Sequence, residues 1–111
     1  MKRKFLVVVA GLILLTACSG SRPDLGLKNG ELMPCPETPN CVSSQTADTE
    51  QYIKPIHFTG TPQEAHGNLL RILESEKRTK VLTVEKNYIR VEFTSAVFRF
   101  VDDVEFYCPE Q

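Results

Sequence analysis

Apolar positions along the chain fall into patterns of different period, and each pattern predicts a different element. Residues 5–15 form an unbroken apolar run of eleven behind the basic stretch Lys2-Arg3-Lys4. A bilayer-spanning helix needs about 20 such residues, so this run is too short for one and has the length of a signal-peptide core. From Thr61 the period becomes helical. Thr61 is a capping residue, Pro62 occupies the first helical position, and Glu64 completes a capping box. Ala65, Leu69, Ile72 and Leu73 share one stripe, with Glu64, Asn68, Arg71 and Glu74 largely off it, which predicts a helix ending near residues 76–78. Gly67 weakens that helix by about 1 kcal/mol relative to Ala. Beyond it the period drops to two. Residues 80–84 and 88–93 read as strands joined by Glu85-Lys86-Asn87, with Ile89, Val91 and Phe93 on one face and Tyr88, Arg90 and Glu92 on a solvated one. A third strand is expected over residues 97–107, where Phe98, Phe100, Val104 and Phe106 are in phase and Asp102 interrupts the row. A weaker fourth strand is expected over residues 53–58, ahead of the helix.

Residues 32–45 belong to neither pattern. Prolines 34, 36 and 39 exclude helix and central strand, and Cys35 and Cys41 bracket the loop. The expected fold class is therefore α+β: one helix packed on a small antiparallel sheet, preceded by a Pro-rich, disulfide-clasped loop. In an oxidising compartment the two cysteines close as a structural disulfide. Free or redox-active thiols and a metal site are the alternatives, although a redox motif has two intervening residues where this pair has five. His57 and His66 match no zinc spacing, and His66 reads as a residue at the boundary of the helix stripe. Cys108 is left over. A spare thiol, an intermolecular bridge and an abnormal terminus all account for it.

The small residues after the apolar run read Leu15-Thr16-Ala17-Cys18. This resembles the lipobox of bacterial lipoproteins, in which the cysteine thiol takes a diacylglyceryl group and the preceding peptide is removed. The resemblance implies a signal peptide over residues 1–17 and lipidation of Cys18. It also implies a membrane partner reached through that lipid, with Ser19 favouring the outer membrane, facing the periplasm, in a Gram-negative organism. Residues 18–31 then read as a lipidated tether, rich in turn formers, and residues 32–111 as the domain. The mature chain carries 10 basic and 14 acidic residues, a charge of −4. That balance removes the electrostatic footprint of a nucleic-acid binder and leaves the lipid, rather than a basic patch, to hold the protein down.

Chemistry-bearing constellations are sparse. Asp102, Asp103 and Glu105 are the one acidic cluster, but strand alternation places Asp103 and Glu105 on one face and Asp102 on the other. They are weak candidates for a cation site or for acid–base chemistry, and solvated carboxylates are the simpler reading. Ser43-Ser44 lacks the Gly-x-Ser-x-Gly setting of a nucleophile elbow, and there is no phosphate-binding Gly-rich loop. The residues supply no enzyme signature and imply no cofactor.

Several strings together resemble the DUF1499 family. They are Leu25-Gly26-Leu27-Lys28-Asn29-Gly30-Glu31-Leu32, Cys35-Pro36, Pro39-Asn40-Cys41-Val42-Ser43-Ser44-Gln45, Tyr52-Ile53-Lys54-Pro55, Phe93-Thr94-Ser95, and Phe98-Arg99-Phe100-Val101-Asp102-Asp103-Val104-Glu105-Phe106. The resemblance spans about residues 23–107 and implies no assigned activity. Family members continue into a further strand, an Arg-Ser-Ala-Ser-Arg-like stretch and a closing helix, whereas this sequence ends at Gln111. A short C-terminus implies an unpaired edge on the last strand and hence self-association or low stability. Three functions are open: a partner- or ligand-binding envelope module; an enzyme or metal-binding protein using Asp102, Asp103 and Glu105, with residues 43–45; and a non-functional truncated product.

Overall fold

The computed structural model describes residues 25–110. The expected signal peptide, the lipidation site Cys18 and the tether as far as Asp24 lie outside the described residues. The elements are β1 (Leu27–Lys28), β2 (Glu31–Leu32), α1 (Pro62–Ser75), β3 (Thr79–Glu85), β4 (Tyr88–Thr94) and β5 (Val101–Tyr107). The fold is α+β, with a two-stranded sheet β1-β2 and a three-stranded antiparallel sheet ordered β3-β4-β5.

The start of α1 follows directly from its sequence. Thr61 is extended, its Oγ1 accepts from the Glu64 amide at 3.1 Å, and Pro62 stands where a missing N–H leaves nothing unpaired. The helix stops at Glu76, and Arg78, with φ of +54°, turns the chain into β3. Arg78 then ties this corner to the far end of β4. Its carbonyl accepts from the Thr94 amide at 2.9 Å, and its Nε donates to the Thr94 carbonyl at 3.1 Å.

The helix packs over β3 and β4, where Leu73, Ile89 and Val91 form the buried core. Leu69, Leu70, Val81, Phe93, Val104 and Phe106 pack around them. Ile89 and Val91 are fully buried, and each contributes about 1.5–3 kcal/mol by leaving water. The core-facing stripe departs from expectation at one position: Ile72 is 55% exposed and Leu70 takes its place. A helix lying over only two strands presents a narrow seam, and Ile72 projects past it.

Four further expectations are corrected. β5 begins at Val101 rather than Val97. Residues 95–100 instead form a closed turn, with the Ser95 amide donating to the Phe100 carbonyl and the Phe100 amide to Ser95 Oγ, both at 2.9 Å. Arg99 at its tip has φ of +57°, which no continuous strand contains. Residues 53–58 form no strand. Pro55 removes a ladder donor there, and the one pairing nearby is an isolated parallel bridge between Ser43 and Tyr52. The stretch read as tether contains the β1-β2 hairpin, whose turn residues Asn29 and Gly30 have φ of +55° and +75°. Asn-Gly is a favoured pair for such a turn. Finally, the face of β4 read as solvated is partly covered, because Tyr88 is only 3% exposed.

Candidate functional site

The sheet face opposite α1 carries Tyr88, Arg90 and Glu92 from β4 beside Asp103, Glu105 and Tyr107 from β5, since β4 and β5 pair Tyr88 with Tyr107, Arg90 with Glu105 and Glu92 with Asp103. Glu105 is the hub. Its Oε2 accepts from the Tyr88 hydroxyl at 2.5 Å and from the Gly26 amide at 2.8 Å. Through the second bond the start of the β1-β2 hairpin is fastened to the sheet, and Gly30 lies close to the Tyr107 hydroxyl. Burial, followed by the hydrogen bond to Glu105 and that carboxylate's charge, pushes the Tyr88 phenol well above the usual tyrosine range. At neutral pH it is therefore a donor, fixed on Glu105.

Asp103 is taken up by Arg90, whose Nη2 lies 3.2 Å from Oδ1 with both side chains about a quarter exposed or less. Arg90 Nε is buried without a partner, as is Nε2 of the half-buried His66. Asp102 faces the other way, opposite Phe93, and is exposed. The structure thus brings Asp103 and Glu105 to one face, gives each a structural partner, and leaves Asp102 apart from both. Among the described residues, no group of three or more His, Cys, Asp or Glu side chains is arranged to hold a metal ion.

The clasped loop forms the second half of the site. Cys35 and Cys41 are joined as a disulfide with Cα atoms 5.8 Å apart. Between β2 and α1 lie 29 residues without helix or strand, yet the backbone as far as Ile53 is pinned. The Ser43 amide donates to the Gln51 carbonyl at 2.8 Å, and the Ile53 amide to the Ser43 carbonyl at 3.2 Å. Gln51 Nε2 reaches the carbonyls of Pro36 and Thr38, at 3.1 and 3.3 Å, and so holds the disulfide ring against the returning chain. Gln45 Oε1 accepts from the Leu32 amide, and Ser43 Oγ accepts from the Gln45 amide. Ser43 and Gln45 are thereby employed in holding the loop. Gln51 is missing from the sequence-derived candidates, and its one signal is a long polar side chain in an otherwise structureless stretch.

Two open hollows border this loop, of about 480 Å³ beside Glu37, Pro39, Asp48 and Gln51 and about 180 Å³ beside Leu32, Pro34 and Gln45. Neither encloses apolar surface as a small-molecule pocket does. The loop places apolar side chains outside instead: Val42, Tyr52, Ile53, Ile56 and Phe58 are 43–76% exposed. His57 stands exposed among them.

A family model described as "Protein of unknown function (DUF1499)" matches residues 31–111, which takes in the clasped loop, α1 and the whole three-stranded sheet. The chain belongs to the DUF1499 family. Comparisons with curated proteins and with solved structures find no match. The DUF1499 match includes Glu105, Tyr88 and the Cys35–Cys41 disulfide but starts at Glu31, so Gly26, which bonds Glu105, is contributed by residues ahead of it. Cys108 is a half-buried free thiol at the end of the DUF1499 sheet, its amide bonded to the Asn87 carbonyl, and burial raises its pKa, which lowers its reactivity.

Proposed function

We propose that this DUF1499 protein is a lipid-anchored component of the cell envelope, held at the outer membrane facing the periplasm, that binds a protein partner through its clasped loop. Support for the anchor comes from the order of basic residues, apolar run and Leu15-Thr16-Ala17-Cys18 in the sequence. No helix among the described residues is long and apolar enough to cross a membrane. The observation that carries the binding reading is the exposed row Tyr52, Ile53, Ile56 and Phe58, which follows directly on a backbone that a disulfide, Gln51 and the Ile53–Ser43 bond keep in place. Loops longer than about 12–15 residues without their own secondary structure are usually functional or linker segments, and apolar side chains grouped on the surface of one tied down by a disulfide favour the former.

Two experiments test the two halves. Labelled palmitate is expected on the expressed protein and absent from Cys18→Ser, which leaves the membrane fraction. Unchanged fractionation overturns the anchor. A photo-crosslinking residue at Ile56 is expected to give one discrete protein adduct in cells, lost in Ile53→Asp, while the same residue at Glu74 on α1 gives none. Absence of any adduct from positions 53, 56 and 58 overturns the partner-binding reading.

A further inference from the structure

The turn over residues 95–100 is built to expose what a protein normally hides. Val97, Phe98, Phe100 and Val101 are 80%, 76%, 67% and 54% exposed, and the two phenyl rings stack with centroids 5.8 Å apart. The backbone beneath them is closed on itself by the paired Ser95–Phe100 hydrogen bonds, so an apolar surrounding finds the Ser95 and Phe100 amides and the Phe100 carbonyl already satisfied. Arg99 projects between the rings in sequence, and the neighbouring corner carries Lys77 and Arg78. Lys80 at the same end stands opposite Glu92 in the ladder, and Lys77, Arg78 and Arg99 stand with Glu74, Glu76 and Asp102. Residues 25–110 carry 9 basic and 13 acidic side chains, yet this end is balanced, and the arginines beside the aromatic tip can meet phosphate headgroups without the repulsion the rest of the body would add.

The tether is long enough to allow this. Gly26 is bonded to Glu105 and lies eight Cα–Cα steps from Cys18, a reach of at most about 28 Å. Glu105 stands about 13 Å along β5 from Val101, within that reach, so a lipid on Cys18 and the phenylalanine tip can meet one surface. We propose that the 95–100 turn is a second membrane contact, in which Phe98 and Phe100 enter the acyl–headgroup boundary and Arg78 and Arg99 meet anionic phosphates. This inference rests on the lipid-anchored reading and adds to it an orientation: the domain lies with the β4–β5 end on the bilayer, leaving the clasped loop for its partner.

The chain contains no tryptophan, so a single introduced one reports its own surroundings. The full-length protein carrying Phe98→Trp is reconstituted into vesicles of phosphatidylethanolamine and phosphatidylglycerol, part of them brominated on the acyl chain. Blue-shifted emission and quenching by bromine are expected for Phe98→Trp and neither for Ile56→Trp. Arg78→Gln with Arg99→Gln is expected to weaken the quenching, and in unlipidated full-length chain Phe100→Ser is expected to reduce vesicle affinity at least about tenfold. Water-like, unquenched emission from vesicle-bound Phe98→Trp overturns the proposal. So does a blue shift without bromine quenching that tracks dimer formation in sedimentation, because a second copy then covers the rings. If the protein fails to float with the vesicles for want of lipid, the anchor reading falls. The same quenching measurement on unlipidated chain mixed with the vesicles then decides the turn separately.

Discussion

The hydroxyl of Tyr88 donates to the carboxylate of Glu105 on the face of the sheet that the helix does not cover. That bond, shared at the same oxygen with the Gly26 amide, makes one carboxylate the fastening between the sheet and the segment leading toward Cys18. A strand residue in polar alternation thus serves as a latch for the residues just ahead of β1.

Replacing the latch separates the hairpin from the sheet. Glu105→Ala leaves a buried phenol and a backbone amide without an acceptor, at an expected cost of about 1–3 kcal/mol. Amide exchange at Gly26 and through β1-β2 is expected to rise sharply while α1 remains protected. Equal protection of the hairpin in both proteins would show that Glu105 does not hold it.

The same bond carries a pH signature. Because burial and Glu105 hold the folded Tyr88 phenol above its ordinary value of 10.0, the unfolded chain loses this proton first. The contribution is fully present below that value and is lost as pH rises beyond it toward the folded pKa. Denaturant unfolding at increasing alkaline pH is expected to show falling stability, with a shallower fall in Tyr88→Phe. Parallel curves for the two proteins would contradict the assignment.

What was legible in the sequence is what local chemistry decides. Thr61, Pro62 and Glu64 announce the helix start, and the alternation of residues 88–93 announces β4, because capping and pleat act between near neighbours. The β5 boundary is hidden from the pattern because Phe98 and Phe100 keep the strand phase, although Arg99 turns left-handed and Ser95 closes the turn. Tyr88 reads as solvated from its alternation because its fastening, Glu105 shared with the Gly26 amide, lies far away in sequence and leaves no local pattern. Gln51 was invisible for a related reason: its carbonyl partners at Pro36 and Thr38 exist only once the disulfide ring is folded back. The Asn29-Gly30 turn was readable, but strands of two residues are too short to show alternation.

The clasp and the core are separable. Cys35→Ser with Cys41→Ser removes a short ring worth about 2 kcal/mol by chain entropy. Since no disulfide sulfur reaches the Leu73, Ile89 and Val91 cluster, helical circular dichroism is expected to persist. Limited proteolysis is expected to cut within residues 33–58 much faster than in the parent protein. Loss of helix and loop together would show that they fold as one unit.

Two adjacent leucine-sized residues on α1 should respond in opposite ways. Leu73 is 3% exposed against Ile89 and Val91, whereas Ile72 is 55% exposed. Leu73→Ala opens a cavity in a core of very few buried side chains, and such changes cost about 2–5 kcal/mol. Ile72→Ala removes side chain already largely in water and is expected to change stability by no more than about 0.5 kcal/mol. Urea midpoints of the two variants measure the contrast, provided the slopes agree with the parent protein. A Leu73→Ala midpoint close to that of Ile72→Ala would mean that α1 does not close the sheet, and a large loss in Ile72→Ala would mean that something covers its outer face in solution.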